Sequence, residues 1–177
     1  MANEDSTTQA SPEITSHDPA FAGDIATLLE KPQGAAMDLF QVLDICEQYA
    51  EHLLENKNQT ERMALCGRLL AGLEVLKSAL QAPLPDYLIE KLTLKESEAS
   101  ICYNPIATDS ETLREYCAAL TIVLLNHQES PEQRQQMAGI LYELITVLAE
   151  DLKAPRFVRS LDGGLNMIQG GALNLVH

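Results

Sequence analysis

Four carboxylates at helical spacing, Asp44, Glu47, Glu51 and Glu55, form the densest run of chemistry-bearing side chains in this sequence. Intervals of three and four place them on one face of a helix. Such a row could hold a cation, grip a basic peptide, or stand in water. A di-metal carboxylate centre also needs Glu-x-x-His pairs projecting inward. The residues three before His52 and His127 are Tyr49 and Leu124, so that pair is missing. Like charges four apart repel mildly, which leaves solvent or a basic partner as the natural company of the row.

The other reactive side chains are scattered. His17 and His177 lie near the two ends of the chain, and His52 and His127 fall at the ends of helical stretches, where they suit the helix dipole. Cys46, Cys66 and Cys117 sit within apolar helical patterns, where a free thiol acts as a small hydrophobe. Cys102, within Ser100–Pro105, is the one candidate nucleophile on a loop. There is no CxxC, no zinc spacing, no Gly-rich phosphate loop, no G-x-S-x-G and no H-E-x-x-H. The expectation is a protein with no catalytic residues, no cofactor and no metal.

Charge narrows the partners. The chain has 26 acids against 12 bases, a net charge of −14. A nucleic-acid binder must neutralise phosphates with Lys and Arg, so nucleic acid is not expected. Anionic lipid is disfavoured for the same reason, and no apolar run is long enough to span a membrane. Reduced thiols and no basic, apolar leader point to the cytoplasm.

The elements that would position these groups are helices. Leu and Ala are abundant, Trp is absent and aromatics are 5%, which favours helices over sheets. Residues 1–18 are polar and acidic, and are expected to form a disordered leader. A short helix then starts at Pro19, with Asp18 as its cap. Apolar stripes predict long helices over about 35–56, 59–82, 109–127 and 131–154. Asn58 with Glu61, Thr108 with Glu111, and Ser130-Pro131 with Gln133 mark three of the starts. A short helix is expected near 86–94, in an irregular connector between halves.

Those halves echo each other. Gly67–Pro83 and Gly139–Pro155, 72 residues apart, share seven of 17 positions, including Gly67/Gly139 and the closing Ala-Pro. The fold expected is all-α: a bundle of four long helices as two antiparallel hairpins, residues 19–160, with internal duplication allowed. The paired glycines are expected on a packed face where two helices approach closely.

Residues 161–177 form a Gly-rich apolar tail in which Gly163-Gly164-Leu165-Asn166 is followed by Gly170-Gly171-Ala172-Leu173-Asn174. It either closes over the bundle or docks on a partner groove or sheet edge. The function expected is a non-catalytic protein-interaction module, an adaptor, regulator or chaperone-like binder. Its partner would be another protein with a basic or amphipathic segment, and a homodimer is allowed. The binding residues expected are the ladder Asp44, Glu47, Glu51 and Glu55 and the tail residues Leu165, Met167, Ile168, Leu173 and Leu175. Two alternatives stand beside it: a secreted effector exported by its N-terminal leader, and an enzyme around Cys102 or His127.

Overall fold

The computed structural model describes residues 19–34, 37–95, 109–126, 128–169 and 172–175. The proposed leader, the Asp18 and Thr108 caps, Cys102, His127 and Gly170-Gly171 lie outside the described residues. The chain is mostly helical, as expected. Its elements are α1 (Pro19–Glu30), α2 (Leu39–Glu55), α3 (Gln59–Gln81), α4 (Asp86–Lys91), β1 (Thr93–Lys95), α5 (Ser110–Asn126), α6 (Pro131–Lys153), β2 (Phe157–Arg159), β3 (Leu165–Gln169) and β4 (Ala172–Leu175).

Capping side chains set the helix starts. Asp38 accepts from the Gln41 amide and Gln41 answers onto the Asp38 amide, a capping box that starts α2 at Leu39 rather than near 35. Asn58 caps α3 by accepting from Thr60 and Glu61, and Ser130 with Gln133 closes a capping box at α6, with Pro131 first. Asp109 does the work at α5: it accepts from both the amide and the hydroxyl of Thr112, at 2.9 and 2.7 Å. Those bonds hold its carboxyl below the usual range.

α2 and α5 are both 17 residues long, and α3 and α6 are both 23. Each hairpin packs on itself, α2 against α3 and α5 against α6, and the hairpins meet through α2–α6 and α3–α5. Between them lie Leu43, Leu53, Leu69, Leu73, Leu141 and Leu148, all essentially buried. Each such side chain contributes about 1.5–3 kcal/mol on leaving water, which is why the apolar stripes dictate the packing.

Gly67 and Gly139 do not serve close helix approach. A Cβ at either would meet nothing within 4 Å. The glycine that packing requires is Gly72, where a Cβ would come 2.8 Å from the Cys46 sulfur.

The sheet was not anticipated; it is a small addition to a chain that is mostly helical. Its order is β1-β2-β3-β4, with β1 parallel to β2 and the other pairs antiparallel. Leu92 ties the halves together by accepting from the amides of Arg156 and Phe157 at 2.8 and 3.1 Å. Phe157 and Val158 of β2 are both buried. The turn from β2 to β3 uses Gly163 at φ +87, a conformation that costs glycine little. The division expected at residue 160 falls between β2 and β3, so the tail begins inside a hairpin. Three-residue strands are too short to show alternation in sequence.

Candidate interaction site

α2 presents the acidic ladder, but α6 divides it. Lys153, at the end of α6, places its ammonium 2.7 Å from Asp44 and 2.6 Å from Glu47. Burial alone would lower the pKa of this lysine; the two carboxylates reverse that and leave it raised. Asp44 and Glu47 thus have a basic partner within the chain. Glu51 and Glu55 stay exposed in the last turns of α2. His52 lies in that last turn too, as the dipole argument expects.

The tail also has company within the molecule. Leu165, Met167 and Ile168 lie in β3 and are half-buried; Met167 is in register with Phe157 of β2. Leu173 and Leu175 lie in β4, opposite Ile168 and Asn166. Among the described residues β4 has one neighbouring strand, as does β1 at the other edge.

Two arginines unnoticed in the sequence close one end of the helices. Arg62 is 94% buried and donates to the carbonyls of Leu53 and Asn56 at 2.5 and 2.9 Å. It satisfies carbonyls that the end of α2 leaves without partners. Burial first, and then Arg134 nearby, lower its pKa. Arg134 donates to the Glu129 carbonyl at 3.1 Å. Both line a cavity of about 210 Å³ with Asn56, Lys57 and Gln135. They stand 72 residues apart, the interval of the echo, and that was the signal available.

A larger cleft of about 370 Å³ lies between the start of α2 and the end of α3, lined by Met37, Leu39, Val75, Pro83, Tyr87 and Leu88. Its polar edge is Tyr87, which donates to Asp38 at 3.1 Å. It gathers no nucleophile, base and oxyanion donor in one place. Burial pushes the thiols of Cys46 and Cys117 up to about 12 and that of Cys66 to about 11. Thiols so held are packing groups. No group of three or more metal-ligating side chains occurs among the described residues. Among them, no helix is long and apolar enough to cross a membrane.

The outer face of α5 and α6 is different. Tyr116 and Ile140 are each 53% exposed and Val123 is 37% exposed. Arg114 reaches Glu74 of α3, so one flank of α5 faces α3 and helical spacing turns Tyr116, Ala119 and Val123 toward α6. Lys153 reaches α2, which turns Ile140, Leu144 and Val147 of α6 toward α5. These six residues form one apolar strip along the hairpin. Its surroundings are acidic. The exposed charged residues of the two helices are Glu111, Glu115, Glu132, Glu143 and Glu150. Arg114 is buried and its guanidinium lies 3.5 Å from Glu115, Arg134 is half-buried, and Lys153 is held by α2. No family model, no curated protein and no solved structure matches this chain.

Proposed function

We propose that the protein is a non-catalytic protein-interaction module, a bundle of two like hairpins that binds a basic or amphipathic segment of another protein. The observation that carries this reading is the apolar strip of α5–α6 with its acidic margin. Apolar surface rimmed by charge is the usual mark of a protein contact. The equal helix lengths at an interval of 71 to 72 residues support reading the hairpins as a duplication. Glu51 and Glu55 would add to the negative field that steers a basic partner, while Asp44 and Glu47 serve the α2–α6 contact.

The test is capture of the native partner by the full chain and by two variants. Ile140→Gln with Val123→Gln should abolish capture, because it removes apolar contact and leaves charge unchanged. Glu51→Gln with Glu55→Gln should weaken capture and flatten its salt dependence. Capture that survives the strip variant undiminished would refute the reading.

A further inference from the structure

The first hairpin shows what lies over such a face. α1 packs against α3, with Ile25 and Leu28 buried. The Tyr49 hydroxyl of α2 donates to the Leu28 carbonyl at 3.2 Å, and Lys31 donates to Gln48 at 2.8 Å. Arg68 of α3 donates to the Lys31 carbonyl. A Cβ on Gly72 would come 3.3 Å from the Gln33 amide. Residues 25–33 therefore cover Gln48, Tyr49, Arg68 and Gly72.

Matching α2 to α5 by their starts (Leu39 and Ser110) and α3 to α6 by theirs (Gln59 and Pro131) gives the same four places on the second hairpin. They are Ala119, Leu120, Ile140 and Leu144. Ala119 and Ile140 are exposed, and Leu120 and Leu144 are half-buried. So the positions that are polar or glycine under α1 are apolar on α5–α6, and there Ala119 and Ile140 are open to solvent while Leu120 and Leu144 are partly so.

Resting on the interaction reading above, we infer that the strip of α5–α6 is a seat for one amphipathic helix of a partner protein, lying across it as α1 lies across α2–α3, with an apolar face and a basic flank. The apolar face answers Tyr116, Val123, Ile140 and Leu144, the helix-in-groove mode of recognition. The basic flank follows from the margin, where each exposed charge is an acid. The same margin selects against α1 of a second copy. That helix, PAFAGDIATLLE, carries two acids and no base. Like charges brought together cost affinity and reject the wrong occupant. α1 is 12 residues long, about 18 Å of helix, and the 17 residues of α5 give a longer bed.

The probe is a labelled synthetic peptide of about 18 residues with a Leu/Ile stripe at helical spacing and Lys on both flanks. Its controls are the same composition scrambled, the same stripe with Glu flanks, and the α1 sequence itself. Binding to the full chain is read by fluorescence anisotropy, and the site by amide NMR shifts. The Lys-flanked helix should bind with shifts concentrated on α5 and α6, and the three controls should bind at least about tenfold more weakly. Ile140→Gln with Val123→Gln, checked for fold by circular dichroism, should weaken the probe by about tenfold or more.

Four outcomes overturn the inference: no binding, equal binding of the scrambled peptide, shifts centred elsewhere, or stronger binding of the α1 peptide, which would make a second copy the occupant. Should the probe fail while the strip variant still loses the native partner, the helical occupant falls and the interaction reading stands. Should the strip variant also leave native capture intact, both fall.

Discussion

Replacing Gly72 with alanine tests the packing argument more sharply than any large-to-small change in the core. The new methyl carbon would stand 2.8 Å from Cys46 Sγ and 3.3 Å from Gln33 Nε2. Comfortable contact between such atoms is about 3.5–4.0 Å, so the sulfur contact falls short by nearly 1 Å. Cys46 is 1% exposed and has little room to retreat. Overpacking of this kind costs about 1–3 kcal/mol. Against that, alanine in place of a helical glycine returns about 0.5–1 kcal/mol. The balance is a loss of about 0–2.5 kcal/mol. At Gly67 or Gly139 the same substitution meets open space and keeps only the gain of about 0.5–1 kcal/mol.

The partner identifies the cause. Cys46→Ala alone should cost about 1–2 kcal/mol, as removal of a small buried group does. In that background the clash is gone, so Gly72→Ala should become stabilising. The coupling between the two sites should be about 1–3 kcal/mol, set by the overpacking it relieves. Urea unfolding followed by far-ultraviolet circular dichroism, with reductant present, gives the four stabilities at comparable slope. The reasoning is refuted if Gly72→Ala raises the midpoint as Gly67→Ala does, or if its cost is undiminished in the Cys46→Ala protein.

Three further outcomes follow from the geometry. Cys46, Cys66 and Cys117, with thiols raised to about 12, 11 and 12 by burial, should react with a disulfide reagent at pH 8 only as fast as the protein opens; immediate reaction at these three sites would contradict their burial. Lys153→Met should cost about 0.5–1 kcal/mol near neutral pH, since its pairs are partly exposed. A lysine whose folded pKa is raised stabilises the fold below its unfolded value of about 10.4, and that contribution fades as pH climbs through the folded value; a difference from wild type that persists unchanged well above the folded value would be wrong. Arg62→Met should cost about 1–3 kcal/mol by stranding the buried carbonyl of Leu53, and more than Arg134→Met, which loses one bond from a half-buried side chain; equal unfolding midpoints for the two would sink the capping role.

The helices were legible because each of their signals is local. Asn58 and Ser130-Pro131-Glu132-Gln133 announce α3 and α6 within a few residues, and apolar stripes over 17 to 23 residues leave little doubt about period. The sheet was not, because its first two strands are three residues each and find each other across 64 positions, Thr93 to Phe157. Lys153 was hidden in the same way: it lies 106 residues from Glu47, and nothing near either residue reveals the pairing. The glycines misled for a subtler reason. Identity between Gly67 and Gly139 aligns two segments of the sequence and says nothing of which way a position faces. Gly72, which has leucine at its counterpart Leu144, is the one that packing needs. As for the candidate site, Tyr116, Val123 and Ile140 sit beside inward-facing apolar residues of the same helices, and Ile122 is exposed as well, so sequence alone gave no reason to separate outer from inner positions.

An open apolar strip carries a hazard, since two copies could bury it against each other. The charge of the same helices answers that hazard. Two strips brought face to face would bring together helix pairs whose exposed charges, five on each copy, are all carboxylates. Such opposition costs far more than a single surface pair, because the charges are brought together as apolar contact drives water out. A basic helix meets the reverse situation: the acids that repel a second copy neutralise its flanks as it settles. The net charge of −14 is thus more than a solubility device in this reading. On α2, where α1 already covers the hairpin, part of the acid is spent on Lys153. On α5 and α6 Glu115 reaches the buried Arg114, and on the proposed reading a basic partner would answer the other exposed acids.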